Sequence, residues 1–288
     1  MIRLMPRDSA VLNAPFMTRV AQGRGGIFEI RDLTPGPYTL VAQWQEENKS
    51  HLVRQPVDVG NDNLDDLIVW LTPGMELKGQ VRIDGSADVN FSSVHVTLEP
   101  QGPMPMGRAG VKLKNDGSFA LENVNADHYT IVLRGMPDNF YVKAIRVGDA
   151  DGLEPGLDLT SGVGGTLDVL ISPNGGQVEG TVIDPKGQIA SGVTVVLVPD
   201  AQHRQREALF KVAVTDTAGH FSLKGINPGE FKLFAWEDIE GGEYQDPEFL
   251  KAYESQGENV TIREGSRENR QLKLITAEVT PKPGDTEP

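Results

Sequence analysis

GIFEIRDLTPGPYTL (residues 26–40), GSFALENVNADHYTI (117–131) and GHFSLKGINPGEFKL (219–233) are three copies of one pattern. Each opens on Gly, places Phe28, Phe119 or Phe221 two residues on, and ends near Tyr38, Tyr129 or Phe231. The copies lie 91 and 102 residues apart, the spacing of domains and not of a short solenoid repeat. In the first copy Phe28 and Ile30 alternate with Glu29 and Arg31, the period of a half-buried strand. Pro35-Gly36 and Pro228-Gly229 then predict a type II turn, with Gly taking the positive φ, before Tyr38, Leu40 and Ala42 resume the alternation. Ala126-Asp127 replaces Pro-Gly in the second copy, so its turn is of another type.

Working outward, 115–117 and 215–219 read as tight hairpin connections with Gly at the left-handed position. A strand ending in Pro lies upstream of each copy: IRLMP at Pro6, VHVTLEP at Pro100, VTVVLVP at Pro199. Upstream again, LKGQVRIDG (77–85) and VEGTVIDPKG (178–187) are opening strands with Gly79 and Gly180 in register. The first copy has no counterpart, which predicts a first domain without its opening strand and an upstream natural start. DDLIVWL, GTLDVLI and NRQLKLI read as last strands. Boundaries at Thr72-Pro73-Gly74 and Ser172-Pro173-Asn174-Gly175-Gly176 divide the chain into 1–73, 74–173 and 174–276, followed by a Pro-rich tail, 277–288, expected to be disordered. Helical spacing occurs at 246–256 (DPEFLKAYESQ), with Asp246 as cap and Pro247 in the first turn. The fold class is therefore all-β: three tandem β-sandwiches of the seven-stranded type, the first truncated.

The formal charge of −14 argues against sequence-independent nucleic-acid binding, which needs a basic surface. With no Cys, disulfide and thiol chemistry are excluded. No apolar run reaches membrane-spanning length, and the first residues show no signal-peptide pattern.

An opening strand with G-x-V, a strand ending in Pro, then D-x-x-G-x-F-x-L and P-G-x-Y-x-L together resemble the carboxypeptidase regulatory-like domain. This family belongs to the transthyretin-like (prealbumin-like) sandwiches, near collagen-adhesin B-type repeats and starch-binding-like folds. The resemblance covers residues 1–276 and is fullest in the third copy. It implies a bacterial envelope or secreted protein, or the extension before an outer-membrane receptor barrel of the TonB-dependent kind. It implies no catalysis, because the regulatory-like domain accompanies zinc carboxypeptidases without being their catalytic half. Related small hydrolases end in Tyr-Arg-Gly-Ser, whereas the last strand here ends Leu272-Lys273-Leu274-Ile275. Adhesin-type relatives form a Lys–Asn isopeptide bond with the help of an acid; the equivalent positions hold Ala42, Leu133 and Ala235, so none is expected, and Lys78 and Asn269 fall in different domains.

His51, His95, His128, His203 and His220 lack metal-ligand spacing, and neither a nucleophile elbow nor a phosphate loop is present; Gly162-Val163-Gly164-Gly165 precedes a strand, not a helix. The acidic stretches 61–66 and 149–154 offer too few oxygens in a turning loop for calcium and read as solvated turns. No metal, cofactor or catalytic residue is expected. The candidate ligand site is the insertion 235–257, where Trp236, Tyr244, Phe249 and Tyr253 accompany Glu237 and Asp238, a composition that stacks on sugars and binds their hydroxyls. The competing reading is that Trp236 and the helix face cover one end of the core. Trp44 and Trp70 read as strand residues of a core or interface.

Three functions follow. The first is a non-enzymatic structural or interaction array, extended to about 90 Å if three modules of about 30 Å stand in line. The second is a carbohydrate-binding protein using the insertion. The third is an accessory fragment of a larger receptor or peptidase. A protein or glycan partner fits these readings, as does strand-edge association through the first domain.

Overall fold

The computed structural model describes residues 1–7, 19–20, 26–47, 49–101, 107–162 and 164–276; the expected disordered tail lies outside them. The protein is built almost wholly of β-strands. It divides into two compact units, one of residues 1–82, 90–135 and 144–169, the other of 83–89, 136–143 and 170 onward.

The first copy contains β1 (Ile2–Pro6), β2 (Arg19–Val20), β3 (Gly36–Glu46) and β4 (Lys49–Val59). They form one antiparallel sheet in the order β2-β1-β3-β4. Alternation sends Leu4, Tyr38, Leu40, Ala42 and Val57 to one face, where Phe28, Ile30, Leu67 and Val69 pack on them. Met5, Val41 and Leu52 are buried on the other face.

The second copy contains β5 (Met75–Ile83), β6 (His95–Pro100), β7 (Ala109–Lys112), β8 (Ser118–Val124), β9 (His128–Arg134), β10 (Tyr141–Val147), β11 (Ala150–Asp151), β12 (Leu157–Asp158) and β13 (Leu167–Ser172). Its sheets run β11-β10-β13-β5-β8 and β12-β9-β6-β7. Alternate residues of each are buried: Leu77, Val81, Phe119 and Leu121 in one, Val96, Leu98, Tyr129 and Ile131 in the other. The β10–β11 hairpin, turning at Gly148 (φ 58°), has no counterpart among the described residues of the other copies.

The third copy is a seven-stranded sandwich of β14 (Gly176–Ile183), β15 (Thr194–Pro199), β16 (Lys211–Val214), β17 (His220–Ile226), β18 (Gly229–Trp236), β19 (Glu258–Ile262) and β20 (Arg267–Lys273). The sheets are β17-β14-β20 and β16-β15-β18-β19, and β14 runs parallel to β20. Between them lie Val178, Val182, Val195, Leu197, Phe221, Leu223, Phe231, Leu233, Val260 and Leu272. β15 is buried on both faces, with Val196 and Val198 entering a second cluster outside the sandwich. Hence its sequence is a continuous apolar run and not an alternation.

Three local expectations are corrected. Gly36 has no positive φ, and Gly229, at φ 159°, is nearly extended instead of left-handed; they open β3 and β18. The positive φ falls at the seventh residue of each copy instead, at Asp32 (57°), Asn123 (56°) and Gly225 (62°), the residue types that tolerate it. There the strand bulges: Met75 pairs with Val124 and Leu77 with Leu121, while Gly176 pairs with Ile226 and Val178 with Leu223, so two residues oppose one. Second, the connections at 115–117 and 215–219 are tight turns with Gly117 (80°) and Gly219 (71°) left-handed as expected, but they are not hairpins, because β7 and β8, like β16 and β17, lie in opposite sheets. Asp116 and Asp216 shape these arches by accepting bonds from Ser118 N (2.9 Å), and from Ala218 N (2.8 Å) and His220 N (2.9 Å). Third, among the described residues DDLIVWL joins no sheet; residues 67–72 lie outside any strand ladder.

The terminal aromatic of each copy also has a cause. Tyr38 OH donates to Thr34 O (2.8 Å) and Tyr129 OH to Asn125 O (3.0 Å), each four residues back, pinning the strand entry as a tyrosine corner does. Phe231 fills the same place in the third copy without the bond.

Candidate functional site: the aromatic insertion of the third copy

β18 delivers Trp236 to the outer face of its sheet, opposite Thr194. The chain then crosses to a short helical turn at Glu243–Gln245 and to α1 (Pro247–Tyr253). α1 starts where its sequence says it should: Asp246 accepts from Glu248 N at 2.9 Å, and Pro247 occupies the first turn, where no N–H partner is needed. Leu250, fully buried, anchors it beside Phe249 and Tyr253. The end of α1 is fastened by Glu254, whose carboxylate meets Arg204 Nη2 (2.9 Å) and Lys232 Nζ (2.8 Å). The Lys232 bond chiefly holds the Glu254 carboxyl below its ordinary range, with Arg204 adding to the effect.

Trp236 is only 2% exposed. Its ring stacks on Phe234 (centroids 4.9 Å, 12°), meets the edge of Tyr253 (5.9 Å, 90°) and tilts against Phe249 (6.0 Å). Tyr244 tilts against Phe210 at 6.1 Å. Four of the six candidate residues, Trp236, Tyr244, Phe249 and Tyr253, thus come together as one aromatic cluster closing the outer face of the sheet. Glu237 and Asp238 are exposed and do not join them. A sugar needs an open ring face, and Trp236 offers none. Its Nε1 is buried without a hydrogen-bond partner, a price set by filling the cluster with an indole.

The other tryptophans correct the sequence reading. Trp44 is 49% exposed and leans on His51 (5.0 Å), because β3 runs beyond the buried part of its sheet. Trp70 is 77% exposed, since Leu67 and Val69 take the inward positions of its segment.

Two charged knots escaped the sequence reading. In the first unit, Arg54 of β4 binds Asp127 in the β8–β9 turn, with side-chain exposures of only 17% and 13%. Ser50 N also donates to Asn123 Oδ1 (3.1 Å). In the second unit, Lys143 Nζ lies 2.5 Å from Asp84 Oδ2 and 3.1 Å from Glu264 Oε1. Ser172 Oγ (3.0 Å) and Tyr141 OH (3.1 Å) donate to the same Glu264 oxygen. The Asp84 bond, then the Glu264 bond, push the Lys143 ammonium above its usual range, while Lys143, Ser172 and Tyr141 hold Glu264 below its own. The knot ties together segments that are far apart in the sequence. Among the described residues, no group of three or more His, Asp or Glu gathers to hold a metal, and no helix is long and apolar enough to cross a membrane.

No family model matches the chain, and no curated protein matches it. Among solved structures, a streptococcal ancillary pilin aligns over 89% of this chain and 80% of its own at 10% identity and a TM-score of 0.28. A minor pilin of Streptococcus agalactiae aligns over 73% and 98%, with 14% identity and a TM-score of 0.30. The major pilin subunit of Bacillus cereus aligns over 96% and 93%, with 12% identity and a TM-score of 0.25. At such identities and scores the likeness assigns neither function nor partner to this chain.

Proposed function

We propose that the chain is a non-catalytic array of three regulatory-like β-sandwich modules, 1–73, 74–173 and 174–276, which spaces and presents interaction surfaces in a bacterial envelope or secreted protein. The motif resemblance supports this reading, and so does the use of the aromatic insertion as core. The observation that carries it is the construction of the junctions. Each joins a cation of one copy to a carboxylate of the next, Arg54 to Asp127 and Lys143 to Glu264. Bonds placed at module ends resist separation of neighbours. Pulling the whole chain between its ends in a force instrument tests the array. Successive events are expected, two from about 100 residues each, releasing roughly 30–35 nm of contour, and a smaller one of roughly 25 nm from residues 1–73. A single cooperative rupture of the whole chain would refute it.

A further inference from the structure

We propose that Lys211 is a modification site, a nucleophilic amine at the edge of the third copy's core that condenses with small uncharged aldehydes to form an imine. The proposal goes beyond the array reading and does not depend on it.

Register places this side chain on the inner face of its sheet. Lys211 opens the edge strand β16 and pairs with Leu197 of β15, which is fully buried in the sandwich core. Paired residues share a face of the sheet, and so do alternate residues of one strand. Ala213, two residues on, packs against the same core, whereas Val212 and Val214 are exposed on the outer face. The second copy shows the same position filled by an apolar residue. There Ala109 pairs with Leu98 in the equivalent register, and both are buried. The third copy thus carries a lysine where the second carries a small core residue.

Lys211 is half-buried there without a partner. Among the described lysines only Lys143, Lys211 and Lys232 are half-buried, the others being exposed. Lys143 holds Asp84 and Glu264, and Lys232 holds Glu254. Lys211 makes no hydrogen bond or ion pair with any described residue. The chain is not short of acids, since its 41 Asp and Glu outnumber its 27 Lys and Arg. Leu209 before it and Phe221 and Leu223 on the facing β17 belong to the buried core, while the nearby Glu207, His220 and Lys224 are exposed. Burial, unopposed by any charge, lowers the pKa of the Lys211 ammonium below the usual lysine value.

An amine deprived of both hydration and a counter-ion gives up its proton more readily and becomes a nucleophile. Once that proton has passed to solvent, the Nζ lone pair adds to a carbonyl carbon. The carbinolamine then loses water to leave a C=N bond, and nothing is oxidised or reduced. The surroundings select an uncharged aldehyde, because the reacting amine is neutral and a carboxylate among these leucines would lose hydration without a counter-charge.

The test treats the full, folded chain at pH 7 briefly with acetaldehyde and cyanoborohydride, which traps each imine as an alkylated amine. Peptide mass spectrometry then gives a rate for every lysine. Lys186 and Lys224, both exposed, serve as references. Lys211 should react at least about fivefold faster than either, and Lys143 should be the slowest. The preference should vanish in urea, where the lysines share one environment, and should weaken at least about threefold with glyoxylate, an anionic aldehyde. A Lys211 rate equal to or below the references overturns the proposal, since shielding or full protonation then governs the amine. A preference that survives urea also overturns it, because local sequence and not the fold would be the cause. Equal preference with glyoxylate overturns the choice of an uncharged substrate. None of these results alters the force experiment, so the array and the reactive amine stand or fall separately.

Discussion

Replacing Gly79 and Gly180 by alanine should damage the two copies in different ways, although the glycines are equivalent in the repeat. The three atoms nearest a Cβ on Gly79 would all belong to one ring, with Phe119 Cζ at 2.1 Å and Cε1 and Cε2 at 2.6 Å. The ring must retreat by more than an ångström into a closely packed interior, so Gly79→Ala should cost about 1–3 kcal/mol as overpacking, near the upper end. Phe119→Leu alone should cost about 1–2 kcal/mol through the void it leaves. Together they should cost at least about 1 kcal/mol less than their sum, since the smaller side chain makes room for the methyl. A Cβ on Gly180 would instead stand 1.8 Å from the carbonyl oxygen of Arg270, its parallel partner on β20. No side-chain truncation removes that atom. The β14–β20 pair must part, and Gly180→Ala should cost about 3 kcal/mol or more, with no rescue from Phe221→Leu. The chain need not unfold in one step, so each copy needs its own probe. Urea unfolding followed by the buried Trp236 reports the third copy, and hydrogen exchange of β5 and β8 reports the second. Equal rescue in both copies, or a neutral Gly180→Ala, would refute the reasoning.

Trp236→Ala should destabilise the third copy by about 3–5 kcal/mol in urea unfolding, whereas Trp236→Phe, which also removes the unpartnered indole N–H, should cost less than half of that. Arg54→Ala leaves Asp127 largely buried without its cation and should cost the first unit about 3 kcal/mol, read as faster hydrogen exchange in β4 and β9, with Arg54→Lys restoring only part. The Glu264 and Glu254 carboxyls are held below their ordinary value of 4.5, so the stability they lend is present above that pH and is lost as pH falls through the lower folded values. Thermal unfolding from pH 7 downward should therefore show a melting temperature that drops below about pH 4.5. Glu264→Gln should lower it at neutral pH and flatten the acid limb.

Strand positions were legible because they are written locally. Pro6, Pro100 and Pro199 end β1, β6 and β15 where the sequence places them, and Asp246-Pro247 starts α1. Gly117 and Gly219 are left-handed where the sequence places them, but the second left-handed residue of each copy is not the Gly of Pro-Gly, a stronger textual signal than a bulge. Yet Asp32, Asn123 and Gly225 align, and all three are types that accept positive φ. The fate of Trp236 was half legible: an aromatic beside acids suggests a ligand, while the unbroken TVVLVP run of β15 already implied a sheet covered on both faces. The knots were not legible at all. Arg54 and Asp127 are 73 residues apart and Lys143 and Glu264 are 121 apart, so only the fold brings them together.

The three copies differ less in their sheets than in what covers them. In the third, the outer face of β15 and β18 is closed by the chain's own α1 and its aromatic cluster. In the second, His95, Thr97 and Glu99 make the same face of β6 polar, His95 exposed and the other two half-buried. In the first, Leu52 on that face sits against Gly107 and beside Asn125 of the second copy. The opposite sheet follows the reverse order: widened by β10 and β11 in the second copy, three-stranded in the third, and without an opening strand among the described residues of the first. Each exposed apolar face in a soluble β-structure needs a cover, a polar substitution or a partner. The second and third copies use the first two solutions. In the first copy Ile68 and Trp70 keep an apolar outer face, 64% and 77% exposed, with neither a polar substitution nor a cover among the described residues.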